Sequence, residues 1–192
     1  MNLFHSWLCS SEGWRRQVRD QVIPWTLQDV QLGEHVLELG PGYGATTDVL
    51  CRKVGHLTCV EMDARLAESL KQRVGKNVTV LCEDATAMSL PDASFDAAVC
   101  FTMLHHVPSP QLQDRLLAEV ARVLRPGGIF AGRDSRYSRR FRLLHLFDTM
   151  VLVDPRTFPD RLRRAGFTDV AVEATESAFR FRAVKPPADG FM

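Results

Sequence analysis

The sequence predicts an α/β fold in which a mostly parallel sheet is covered by helices on both faces, and three observations carry that prediction. From residue 35 onward, short apolar runs alternate with stretches of helical spacing, the pattern left by strands joined through crossover helices. The first of these runs, His35-Val36-Leu37-Glu38-Leu39, stops abruptly in Gly40-Pro41-Gly42-Tyr43-Gly44, as a buried strand does when it turns sharply into a helix. The last two runs, 170–172 and 179–184, have no helical stretch between them, so they read as an antiparallel hairpin at the end of the sheet.

Each element has its own signal. Trp14, Val18, Val22, Trp25 and Leu27 recur at near-helical spacing with Pro24 among them, which predicts a leading segment, 1–32, of one helix and a short second one. After the glycine turn, Thr46, Val49, Leu50 and Val54 mark a helix stopped by Gly55. Strand 57–60, helix 64–74, strand 78–81 and, past a loop of turn residues, strand 95–101 continue the alternation,. A helix over 111–124 ends at Pro126-Gly127-Gly128, strand 129–131 follows, and Phe158, Leu162 and Ala165 form the last helical stripe,. The tail, 186–192, holds two prolines and a glycine and is expected to be disordered,.

A chain of 192 residues with 45% hydrophobic and 24% charged residues builds one core, not two, so 1–185 is expected to be a single domain. A net charge of +1 provides no chain-wide attraction to nucleic acid or anionic lipid. Five cysteines, at 9, 51, 59, 82 and 100, leave one over in any pairing, which argues for free thiols in a reducing cytoplasm. Cys59, Cys82 and Cys100 lie in or beside apolar runs and read as small buried hydrophobes. No metal site is expected. The first residues lack the pattern of a secretory leader, and no apolar run is long enough to span a bilayer,.

The chemistry gathers at strand ends. Glycines at 40, 42 and 44 allow a sharp bend and the close approach of a ligand, and the helix behind them offers free N–H groups. With Ala45 as a third small residue the same stretch also satisfies a loose dinucleotide fingerprint. The acid before the turn separates the readings: Glu38 suits the ammonium of a methionine moiety and repels a pyrophosphate. Glu61 ends the second strand, placed to accept two ribose hydroxyls. Met62 suits an adenine face or a core gap, and Asp63 reads as a helix N-cap. Asp84 follows the third strand, where its carboxylate could accept from an adenine amino group while the Ala85 backbone reaches a ring nitrogen.

Taken together, the segments 36–44 (VLELGPGYG), 60–63 (VEMD), 83–96 (EDATAMSLPDASFD), 101–107 (FTMLHHV) and 123–128 (VLRPGG) resemble the class I S-adenosylmethionine-dependent methyltransferases, in particular the small-molecule branch typified by ubiquinone-biosynthesis enzymes. The resemblance implies a Rossmann-like three-layer sandwich with a seven-stranded sheet whose last strand is antiparallel. It implies S-adenosyl-L-methionine as cofactor, with the methionine moiety near Gly40, ribose on Glu61, adenine near Met62, Asp84 and Ala85, and the backbone of Phe101 and Thr102 lining the cleft. Glu at 38 and 61, where Asp is commoner, lengthens each reach by one methylene.

In-line methyl displacement needs alignment and exclusion of water more than a catalytic group. An acceptor hydroxyl or amine still gains from a base, and His105 and His106 stand nearest for that role, though either suits packing equally well. The stretch 134–154 reads as a substrate lid: Arg133, Arg136, Arg139, Arg140 and Arg142 could draw an anionic group, and an apolar face follows,. A solvated arginine face on a packed helix fits the same residues. The acceptor is thus expected to be a small molecule, apolar or anionic, with nucleic acid disfavoured because no aromatic platform interleaves the arginines. Two other functions fit parts of the pattern. A nicotinamide-dependent oxidoreductase explains the glycines and Glu61 but neither Glu38 nor Asp84, and a non-catalytic cofactor binder would use 133–153 as a partner surface.

Overall fold

The computed structural model describes residues 10–138 and 150–188. A leading helical segment comprises α1 (Glu12–Gln17), a π-helical turn (Val18–Val22) and α2 (Ile23–Thr26). Then follow β1 (His35–Leu39), α3 (Thr47–Leu50), β2 (His56–Val60), α4 (Ala64–Lys71), β3 (Val78–Leu81), β4 (Phe95–Phe101), a 3₁₀ turn (Leu104–His106), α5 (Pro110–Val123), β5 (Leu124–Ser135), α6 (Phe158–Arg164), β6 (Thr168–Ala174) and β7 (Ala178–Val184). The sheet order is β3-β2-β1-β4-β5-β7-β6. Neighbours from β3 to β5 run parallel, and β7 is inserted antiparallel between β5 and β6. This is the seven-stranded architecture expected, with its reversal of winding between β1 and β4, where open α/β sheets form ligand crevices.

Alternation along the strands sorts the core into two faces. Leu37 and Leu39 join Leu116, Leu117, Phe130, Phe158 and Phe179 beneath α5 and α6. Val36, Leu57, Val99 and Phe101 instead meet Val18 and Val22 of the leading segment and Leu70 of α4. Pro24 does not break that segment, contrary to expectation. It lies just past the π turn, whose wider i→i+5 bond from the Ile23 N–H to the Val18 carbonyl accommodates the proline and carries the helix through,. Ser109 caps α5 by accepting from the Leu112 N–H, with Pro110 next to it,. Asp63 caps α4 as predicted.

β5 is longer than the predicted 129–131. Leu124 already lies opposite Phe95, and Pro126-Gly127-Gly128 forms a bulge before Ile129 pairs with Ala97,. Gly127 (φ +79) donates its N–H toward Lys185 O and Pro186 O, which ties the beginning of the tail to the bulge. The rest of the expected disordered tail, 189–192, lies outside the described residues, as does 139–149 of the expected lid. Cys82 is exposed, unlike Cys59 and Cys100, because β3 stands at the sheet edge.

Candidate active site

At the carboxyl ends of β1, β2 and β4 opens a cavity of about 530 Å³, within the usual range for small-ligand sites. Gly40, Gly42, Glu61, Met62, Asp84 and Ala85 line one half of it, and Phe101 and Thr102 pass along its floor. Trp14, Val18 and Val22, one stripe of the leading segment, close the opposite wall with Met103, His106 and Leu112. The sequence showed this stripe but not that it would roof a site.

All three turn glycines have left-handed φ, +61, +55 and +71, yet their missing side chains serve different neighbours. A Cβ at Gly42 would meet nothing within 4 Å, so this is where the backbone lies open to the cavity. A Cβ at Gly40 would strike the Met103 side chain. At Gly44, which does not line the cavity, it would strike the Arg73 guanidinium. Arg73 donates to the Tyr43 carbonyl at 2.7 Å and pairs with Asp48 at 2.5 Å. Arg15 of α1 pairs with the same Asp48 and also reaches the Tyr43 carbonyl. The third glycine therefore makes room for a protein clamp on the turn rather than for a ligand.

Glu61 holds the turn from the other side. Its Oε2 accepts from the Gly42 N–H and its Oε1 from the Asp63 N–H, both at 2.9 Å, leaving further lone pairs facing the cavity,. Asp84 accepts from the Thr86 N–H at 2.8 Å and lies at the rim with Ala85. Met62 is 71% exposed, an apolar face without a protein cover. Glu38 departs from expectation: it does not line the cavity and is 1% exposed. It shares the Val36 face of β1, and its carboxyl accepts from the hydroxyls of Thr46 and Thr47 and from the Cys59 thiol. Burial pushes its pKa up, against the pull of the two threonine hydrogen bonds,. The acid before the turn thus fastens the start of α3 to the sheet from below.

The two histidines separate. His106 lines the cavity. His105 is buried, with its Nδ1 2.5 Å from Asp134 Oδ1 and its N–H donating to Asp134 Oδ2 at 3.0 Å. The two rings pack at 4.2 Å between centroids. The His105 carbonyl accepts from Val151 N, and Gln113 donates from Nε2 to the carbonyls of Leu104 and Val151. Asp134 and Gln113 gave no sequence signal, since the partners they hold lie 29 and 38 residues away. Of the arginine cluster, Arg136 donates to the Thr175 carbonyl and Arg133 lies on β5. Arg139, Arg140 and Arg142 are outside the described residues.

A family model described as a methyltransferase domain matches residues 37–132, half of the chain. Ubiquinone biosynthesis O-methyltransferase of Coxiella burnetii is 30% identical over 99 residues, covering 50% of this chain and 41% of its own. Demethylmenaquinone methyltransferase of Tropheryma whipplei is 32% identical over 114 residues, 58% of this chain and 46% of its own. The chain thus spans less than half the length of these curated relatives. Among solved structures, a SAM-dependent methyltransferase of Thermotoga maritima superposes with a TM-score of 0.75 at 22% identity, over 95% of this chain and 97% of the other.

Proposed function

Because the chain belongs to the methyltransferase domain family, we propose that it transfers a methyl group from S-adenosyl-L-methionine to a small-molecule acceptor. The reading is carried by one cavity that combines two rim carboxylates, an open glycine backbone and an apolar roof. When bound, the cofactor supplies a methyl group already activated on a sulfonium. The residues present fit it. Glu61 has free lone pairs for ribose hydroxyls, Asp84 and the Ala85 backbone offer an acceptor and a donor to adenine, and exposed Met62 provides a face to lie against,. Gly42, with no Cβ to project, lets the ligand approach the main chain,.

The chain's own work is then alignment, exclusion of water and handling of one proton. Trp14, Val18 and Val22 keep water off the reacting end. His106 is the cavity-lining group that takes the acceptor's proton. His105 acts through it as a positioning residue, its ring set by Asp134 and packed against that of His106. Glu38 leaves the list of cofactor contacts and becomes a support of the turn.

The names of the relatives, a ubiquinone biosynthesis O-methyltransferase and a demethylmenaquinone methyltransferase, support a small organic acceptor for this chain too. The free cysteines among the described residues, Cys51, Cys59, Cys82 and Cys100, support a reducing cytoplasm, and among those residues no helix is long and apolar enough to cross a membrane. Calorimetric titration with S-adenosylhomocysteine and, separately, NAD tests the proposal. Saturable binding of the first and none of the second is expected, and the reverse result overturns it.

A further inference from the structure

The walls of the cavity are fastened from behind. Arg180, paired with Glu173 at 2.7 Å and with Asp29 at 3.3 Å, donates to the Trp25 carbonyl at 3.0 Å and so ties the roof segment to β7. Arg15 and Arg73 hold the glycine turn by the Tyr43 carbonyl. A third wall is the stretch after β4 that brings Met103, His106 and Val107 to the cavity. It is gripped by a neutral side chain, Gln113 of α5.

The buried stripe of α5 consists of Gln113, Leu116, Leu117, Val120 and Val123, so an amide stands where its neighbours are apolar. Gln113 is 1% exposed. Burying an amide is costly unless its polar atoms find partners, and a methionine of similar volume would fill the place without that demand. Here the demand is met throughout. Nε2 donates to the Leu104 carbonyl at 2.9 Å and to the Val151 carbonyl at 2.7 Å, while Oε1 accepts from Arg161 at 2.9 Å. Arg161 is itself held by Asp114, by the Pro110 carbonyl and over the Phe158 ring. Because a guanidinium can only donate, it fixes which end of the amide faces α6 and thereby aims both N–H bonds at their carbonyls.

Those bonds converge on the turn that carries His106. The Leu104 carbonyl accepts from the Val107 N–H, which closes the turn, and Gln113 takes its second lone pair,. Val151, held by its carbonyl, donates its N–H to the His105 carbonyl at 2.8 Å. The backbone on the approach to His106 is thus fastened twice by one side chain, once directly and once through Val151.

We propose that Gln113 is a positioning residue for methyl transfer, holding the Leu104–His106 turn where His106 meets the acceptor. The assignment rests on the reading of His106 as the group that takes the acceptor's proton. A base must stand within roughly 2.6–3.2 Å of the atom whose proton it removes, and the weaker hydrogen bonds of a 3₁₀ turn do not secure that alone. Gln113 acts on this wall and not on the cofactor half, which is built from the ends of β1, β2 and β3.

The test uses the whole chain with isotope-labelled histidine, and the His106 ring signal is assigned by its loss in His106→Gln. In the wild type a single His106 signal is expected, and it moves when S-adenosylhomocysteine fills the cavity. Gln113→Met keeps the length of the side chain and removes both donors. In the saturated variant the His106 signal moves by more than its width or splits, while affinity for S-adenosylhomocysteine stays within about twofold. Gln113→Asn, which withdraws the amide by one methylene, gives the same change and carries the test should Gln113→Met fail to fold. Leu117→Ala, on the same stripe, lowers the melting temperature but leaves the His106 signal in place, which separates positioning from stability. An unmoved His106 signal in the folded Gln113 variants, or an equal displacement in Leu117→Ala, overturns this assignment alone. A wild-type His106 signal indifferent to bound S-adenosylhomocysteine overturns the base reading, and failure to bind it brings down the methyltransferase reading as well.

Discussion

On the β2 and β3 side of the cavity, Glu61 accepts from the Asp63 N–H two residues on and from the Gly42 N–H of the turn after β1, and Asp84 accepts from the Thr86 N–H two residues on. On the β5 side, Asp134 reaches across 29 residues to His105, and Arg133 beside it reaches no protein acceptor among the described residues. The first region satisfies its carboxylates on backbone N–H groups and leaves spare lone pairs facing the cavity. The second ties its charges into long-range contacts or leaves them unpaired.

Asp134→Ala should break this contrast most severely. It strips acceptors from the His105 N–H, His105 Nδ1 and the Ser135 N–H in a buried place, and should cost about 3–5 kcal/mol by denaturant unfolding. A loss below about 1 kcal/mol would show that the β5 side is as loosely built as a surface loop. Glu61→Ala should leave the fold standing but weaken S-adenosylhomocysteine roughly 100-fold by calorimetry, since the proposed ribose acceptor and the bond to Gly42 are lost together,. Unchanged affinity would remove Glu61 from the site.

Gly44→Ala should lower stability by about 1–2 kcal/mol from its left-handed backbone alone, with more from the clash with Arg73. Combining it with Arg73→Ala should recover only part of the steric cost, because Leu70 would also crowd the new Cβ, and a strictly additive double mutant would deny the clamp. The smallest effect is expected for Glu38→Gln. A folded-state pKa above the ordinary 4.5 means that Glu38 contributes stability fully below that value and loses it as pH rises through the raised one. Melting curves from pH 5 to 8 should therefore be flatter for the variant, and parallel curves would place the titration elsewhere.

The sheet, the succession of elements along the chain and the acids at strand ends were legible because each rests on a local pattern: apolar runs, turn residues, a carboxylate just past a strand. Asp63 could be read as a cap from its neighbours alone. Glu38 was misassigned because its place just before the glycine turn drew attention to the ligand. The alternation that sends Val36 and Glu38 to one face and Leu37 and Leu39 to the other already pointed it at α3. Pro24 suggested a break because its effect was judged without the π turn that precedes it. The Asp134–His105 pair and the pairing of Arg180 but not of Arg133 depend on which strands become neighbours, and β7 enters between β5 and β6 against chain order.

The roof segment is anchored at its far end by Arg180, which donates to the carbonyl of Trp25 155 residues earlier in the chain. During synthesis the wall formed by Trp14, Val18 and Val22 precedes the whole sheet and must wait for β7 before it is pinned. A nascent chain that has completed β5 already possesses the glycine bend and both rim acids, but not a closed chamber. Closure of that wall therefore depends on a contact of high sequence separation and comes only after β7 has joined the sheet,.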